Sequence, residues 1–167
     1  MAEIWYRGQS SAVAPSRPGG SIHDFGDGMY LTDSREVAEQ YARTRVAYGG
    51  GQPEVLTINV ERSELGNVLD LNSDPRWQQF LRNPQVPGRP DLTSENLIKM
   101  ANENYGRFFE QFVRENKIRI KECDAVIGPE FVRGGSQLAI LHKDGRPSPL
   151  AIKIRGRLRP VDSPGRR

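Results

Sequence analysis

A single α+β domain is predicted for this chain, and three observations predict it. The length of 167 residues suits one domain that buries roughly 70% of its unfolded surface in one core. Apolar periodicity runs strand, helix, strand, helices, then strands, an irregular order that disfavours a doubly wound parallel sheet. No GxGxxG leads from a strand into a helix, and no GxxxxGK[ST] occurs. Any nucleotide site is therefore neither of the Rossmann nor of the P-loop kind.

The elements follow in order. Ile4 to Gly8 reads as a short strand, and a loop rich in Ser, Pro and Gly runs from Ser10 to Ser21. Gly28 to Thr32 is a second strand. Asp33, with Glu36 three residues on, has the capping-box arrangement that opens a helix. Val37, Ala38, Tyr41 and Ala42 fall on one face of it, and Gly49-Gly50-Gly51 ends it. Leu56, Ile58 and Val60 alternate in a half-buried strand from Glu54 to Val60. A short helix is expected around Trp77 and Phe80, then a proline-broken loop to Pro90. Thr93 or Ser94 caps a long helix carrying Leu97, Ala101, Phe108, Phe112 and Val113, with Gly106 a weak point that divides it if anything does. Three strands close the chain: Cys123 to Gly128, Gln137 to His142, and Leu150 to about Val161. There are no repeats and no long linkers, so residues 1–161 read as one domain and 162–167 as a flexible basic tail.

Composition excludes several classes. Hydrophobic residues are 36% and charged residues 27% of the chain, as in soluble globular proteins, and no apolar run nears the ~20 residues of a membrane helix. The strand pattern begins within Met1 to Tyr6, leaving no room for a signal peptide in this chain. Cys123 is the one cysteine, and it reads as a small buried hydrophobe. With only His23 and His142 besides, no Cys/His zinc site is expected. Residues 143–167 hold eight Lys or Arg against two acidic residues, a net of +6 within an overall +3. That asymmetry predicts a basic edge on a mildly acidic body.

The block Asp24-Phe25-Gly26-Asp27-Gly28-Met29-Tyr30-Leu31-Thr32 carries the chemistry, with Tyr41 eleven residues after Tyr30. The glycines let the backbone turn tightly before a strand. A strand packed on its following helix can then bring the two rings face to face across a gap that admits a flat heteroaromatic. The plainer alternative makes both tyrosines core residues with hydroxyls at the rim.

This Gly-x-Gly-φ-Tyr strand (φ apolar), with its second tyrosine, resembles the nicotinamide pocket of the diphtheria-toxin-like and poly(ADP-ribose) polymerase-like ADP-ribosyltransferases. Ile4-Trp5-Tyr6-Arg7-Gly8 is similar to the first motif of that family. Asp124 to Pro129, followed by Gly134 to Ile140, is similar to its third. The resemblance runs from residue 4 to about 141 and is nearest to domains at the ends of bacterial polymorphic toxins. It implies an ADP-ribosyltransferase fold of two packed small β-sheets with peripheral helices. It further implies that Arg7 and Gly8 anchor NAD, that Gly28, Tyr30 and Tyr41 form the nicotinamide pocket, and that Gln137 contacts the ribose. Catalysis is expected at Arg7, Tyr30 and Gln137, with no metal.

Three departures bear on that reading. The first motif has Arg7, as the arginine-type toxin branch does, but the Ser-Thr-Ser motif of that branch is missing. A serine usual three residues before the second tyrosine is Ala38. The catalytic glutamate position is Gln137. An oxocarbenium-like ribose is stabilised by a carboxylate, which glutamine does not supply. Either positioning suffices, or Glu130 enters from seven residues upstream, or Gln137 replaces a natural glutamate. Restoring the carboxylate with Gln137→Glu is then expected to raise turnover. Arg7 has a structural alternative as a buried ion-pair partner.

The implied function is a mono-ADP-ribosyltransferase toxin or effector that uses NAD, modifies a protein or nucleic acid and releases nicotinamide. It would be delivered into the cytoplasm of a target cell, with an immunity protein as partner and no membrane partner. An NAD glycohydrolase using water, or a non-catalytic ADP-ribose-binding module, are the alternatives. Lys153, Arg155, Arg157 and Arg159 alternate in the last expected strand and would line one face suited to phosphates of the acceptor. A charged edge that blocks aggregation is the competing reading.

Overall fold

A computed structural model of the chain describes residues 2–12, 24–130 and 133–161. The loop expected beyond residue 12 and the tail at 162–167 lie outside the described residues. The elements are β1 (Ala2–Ser10), β2 (Gly28–Thr32), α1 (Arg35–Gly49), β3 (Pro53–Glu61), β4 (Val68–Asp70), α2 (Pro75–Arg82), α3 (Leu97–Glu115), β5 (Ala125–Pro129), β6 (Ser136–Leu141), α4 (Pro149–Arg157) and β7 (Arg159–Pro160). The fold is mixed α+β, with helices packed on a seven-stranded sheet of order β4-β5-β6-β2-β1-β3-β7.

That order corrects the expectation of two packed small sheets, since one seven-stranded sheet forms, and it also shows a near-break. β1 pairs with β3 along nine residues, from Ala2–Glu61 to Ser10–Pro53, and β2 pairs with β6 along five. Between β1 and β2, at the centre, the only pair is Tyr6 with Thr32. Continuing that antiparallel register would set Gly8 opposite Tyr30, but the ladder stops. Two well-laddered halves thus meet at one residue pair, beyond which the ladder ends.

Strand alternation divides the core between the two faces. Met29 and Leu31, Ala125 and Ile127, and Leu138 and Ile140 join Trp5, Ile58 and Val60 under Ala151 and Ile154 of α4. Val126, Ala139 and Leu141 face the other way, onto Trp77 and Phe80 of α2 and Phe108, Phe109 and Phe112 of α3. Trp77 meets Phe112 edge-on at 4.9 Å between centroids. α3 runs unbroken through Gly106, and Asn96 precedes it without a side-chain cap, where Thr93 or Ser94 was expected. Cys123 is half-buried against this second core, with its thiol pKa raised by burial.

Two local expectations fail for identifiable reasons. Ser34, not Asp33, caps α1, its hydroxyl accepting from Val37 N at 3.2 Å. Asp33 is drawn away because its Oδ1 accepts from Ser136 N at 2.9 Å, tying β2 to β6. The last expected strand is instead helix α4. Ser148 accepts from Ala151 N and Pro149 occupies the first turn, both helix-initiating devices. Ala151, Ile154 and Leu158 are buried at helical spacing, whereas Ile152 is 63% exposed. The Ile-Lys-Ile-Arg alternation mimicked a strand. Only the two-residue β7 retains extended pairing.

Candidate functional site

Arg7 stands where the central ladder fails. Its Nη1 donates to the Tyr30 carbonyl at 3.0 Å, filling the acceptor that a continued β1–β2 ladder would have used. Its Nε is buried with no hydrogen-bond partner. Burial, joined by the positive charges of Arg155 and Arg45, lowers the pKa of the guanidinium to about 10. No carboxylate pairs with it among the described residues. The structural alternative, a buried ion pair, is not made with any of the described residues.

Gly8 and Gly28 have packing explanations. A Cβ on Gly8 would overlap the Ala38 carbonyl oxygen, and would come within 2.8 Å of Ala42 N. β1 and α1 touch backbone to backbone there, with Ala38 and Ala42 fully buried. Ala38 thus belongs to this close contact. A Cβ on Gly28 would lie 2.7 Å from the Ile140 carbonyl oxygen of β6. Gly26, at φ 97°, makes the turn before β2 in a region that favours glycine.

Tyr30 and Tyr41 are held by different partners. The Tyr30 hydroxyl accepts from Phe25 N at 2.8 Å and donates to the Gly26 carbonyl at 2.7 Å, and its ring stacks on Phe25 at 6.4 Å. It braces the turn before β2. The Tyr41 hydroxyl donates to Glu130 Oε2 at 2.6 Å, and the Arg133 guanidinium lies 4.5 Å from its ring centroid. Burial raises both phenol pKa values above the ordinary range, and the negative charge of Asp24 adds to the rise at each.

Gln137 is 6% exposed and faces the same side of the sheet as Tyr30, opposite Thr32 in the ladder. Its Nε2 donates to Asp24 Oδ2 at 2.8 Å and to the Pro129 carbonyl at 3.2 Å. Glu130, 5% exposed, follows β5, and its carbonyl accepts from Gly134 N at 2.9 Å. Burial, with a further contribution from the charge of Glu130, raises the Asp24 pKa to about 6, although the Gln137 hydrogen bond lowers it. One carboxylate, Asp24, therefore accepts from the Gln137 amide, and a second, Glu130, acts on Asp24 through its charge. Asp24 is the residue that sequence reasoning missed. It lay in the informative block, but its partner is 113 positions away, and no local spacing reports that contact.

The basic stripe does not form as a stripe. On α4, Lys153 and Arg157 are one turn apart, and Arg155 lies two residues round the helix from each. Arg157 binds Glu64 Oε1 at 2.8 Å and the Asn59 carbonyl at 2.7 Å. Arg159, past the helix end, donates to the carbonyls of Gly156 and Leu158. These are structural contacts that tie α4 to the β3 side of the sheet, and the strand face inferred for the acceptor is absent.

Among the described residues no three His, Cys, Asp or Glu side chains gather in a way that could hold a metal ion, and no helix is long and apolar enough to cross a membrane. No protein-family model, curated protein or solved structure matches the chain.

Proposed function

We propose that this domain binds NAD and breaks its nicotinamide–ribose bond, passing ADP-ribose to a macromolecular acceptor on an ADP-ribosyltransferase fold. The observation that carries the reading is the Arg7 guanidinium, half-buried where the β1–β2 ladder stops, with a buried Nε that has no hydrogen-bond partner and no anionic partner among the described residues. A phosphate is the ligand group that suits such a fork of donors, and NAD brings two. Tyr30 links the two ends of the site. Its carbonyl touches Arg7, and its hydroxyl end lies in the field of Asp24. A cationic end for pyrophosphate and an anionic end for the developing ribose cation complement the charge distribution of NAD at the moment of cleavage. Asp24 and Glu130 supply the negative charge that Gln137 lacks. Tyr41, with 36% of its surface exposed, is the ring open to nicotinamide, and Tyr30 acts from behind it through the turn. The resemblance to toxin domains adds an effector role in a target cell and an immunity protein as partner.

Calorimetric titration of NAD into the protein and into Arg7→Met tests this reading. Binding to the parent and a loss of at least about tenfold in the variant, without loss of stability, are expected, since a half-buried charge with no ion pair among the described residues contributes little to the fold. Equal affinity in a folded Arg7→Met protein would contradict it.

A further inference from the structure

We infer that Asp24 is the group that takes the acceptor's proton during transfer, while Glu130 remains an anchored charge beside the ribose. The inference rests on the proposed NAD chemistry and divides the labour between the two carboxylates. Glu130 is held at both oxygens, Oε2 by the Tyr41 hydroxyl at 2.6 Å and Oε1 by Arg133 N at 3.4 Å. Asp24 has one hydrogen bond, to Oδ2 from Gln137, and its Oδ1 has no partner among the described residues. Gln137 commits its amide nitrogen to Asp24 and to Pro129, so it orients the base and has no donor left for the ribose.

The groups facing Asp24 are Gln137 from β6, Glu130 from the end of β5, Tyr30 from β2 and Tyr41 from α1, with Arg133 beyond the Tyr41 ring. Glu130 is the one charge acting on Asp24 in this set, and with burial it raises the proton affinity of Asp24 towards neutrality, where a general base works best. In the step itself, the C1′–N bond breaks and its electron pair leaves with nicotinamide, cancelling the pyridinium charge. A lone pair of the acceptor's O–H or N–H group forms the new bond to C1′. Its proton passes to Asp24 Oδ1 and later to water.

Nicotinamide release is measured against pH for the intact protein, Asp24→Asn and Gln137→Leu, with NAD affinity followed by calorimetry. The parent rate is expected to fall about tenfold per pH unit below about pH 6. Asp24→Asn is expected to lose at least about 100-fold in kcat, with NAD affinity within about threefold and no acid limb. Gln137→Leu removes a bond that favours the ionised base, so its acid limb should move to higher pH. A folded Asp24→Asn protein within about threefold of parental kcat overturns the inference and leaves the NAD reading intact. A flat parental profile between about pH 5 and 8 does the same, even if Asp24→Asn fails to fold. No release by the parent at any pH overturns both.

Discussion

Gln137 donates one amide nitrogen to Asp24 at 2.8 Å and to Pro129 at 3.2 Å. Through that nitrogen, β6 holds the turn before β2 and the last residue of β5 together. Gln137 is thereby a clamp between two acceptors, and the carboxylate it holds belongs to Asp24.

This arrangement reverses the effect expected of Gln137→Glu. The new carboxylate would face Asp24 Oδ2 and a carbonyl oxygen, three acceptors with no donor among them. A cost of about 3 kcal/mol is expected at about pH 8, from a buried charge without compensation. The cost should shrink as pH falls and one proton becomes shared. Urea unfolding at two pH values measures it, and nicotinamide release should drop below the parent.

Burial, with the charge of Glu130, makes Asp24 a cost to stability at neutral pH that the Gln137 clamp only partly offsets. Its folded pKa of about 6 lies above the ordinary 3.8, so the native state binds this proton more tightly than the unfolded chain. The stabilising contribution of the protonated form is fully present below about pH 4 and is lost as pH rises to about 6. Asp24→Asn, which does not titrate, should exceed the parent by up to about 3 kcal/mol at about pH 8. The advantage should fade by about pH 4. Paired denaturant titrations across that range check the sign.

At the other end of the site, Gly8→Ala should be strongly destabilising. Its Cβ would overlap the Ala38 carbonyl, and backbone on both sides leaves no flexible group to yield. A loss of at least about 2 kcal/mol is expected, read as a lower unfolding midpoint with an unchanged denaturant slope.

Much of this was legible in the chain itself. β2 falls within Gly28–Thr32 as read, the triple glycine ends α1, and the aromatic face of α3 forms the core under β5 and β6. These features are local, set by periodicity and turn chemistry. The failures share a different cause. At α4, Ser148-Pro149 overrode an alternation that looked extended. β4 is three residues long, too short for its period to show. Asp24 and Gln137 meet only because β2 and β6 pair, and Glu130 reaches Tyr41 across 89 positions. Candidate residues could be picked by type, but their pairing belongs to the sheet order.

The most direct measurement is release of free nicotinamide from NAD by the purified chain, with and without a cell lysate as source of acceptor. Release stimulated by lysate, with ADP-ribose found on a macromolecule and lost in Arg7→Met, is the expected result. Intact NAD after prolonged incubation under both conditions would contradict the account.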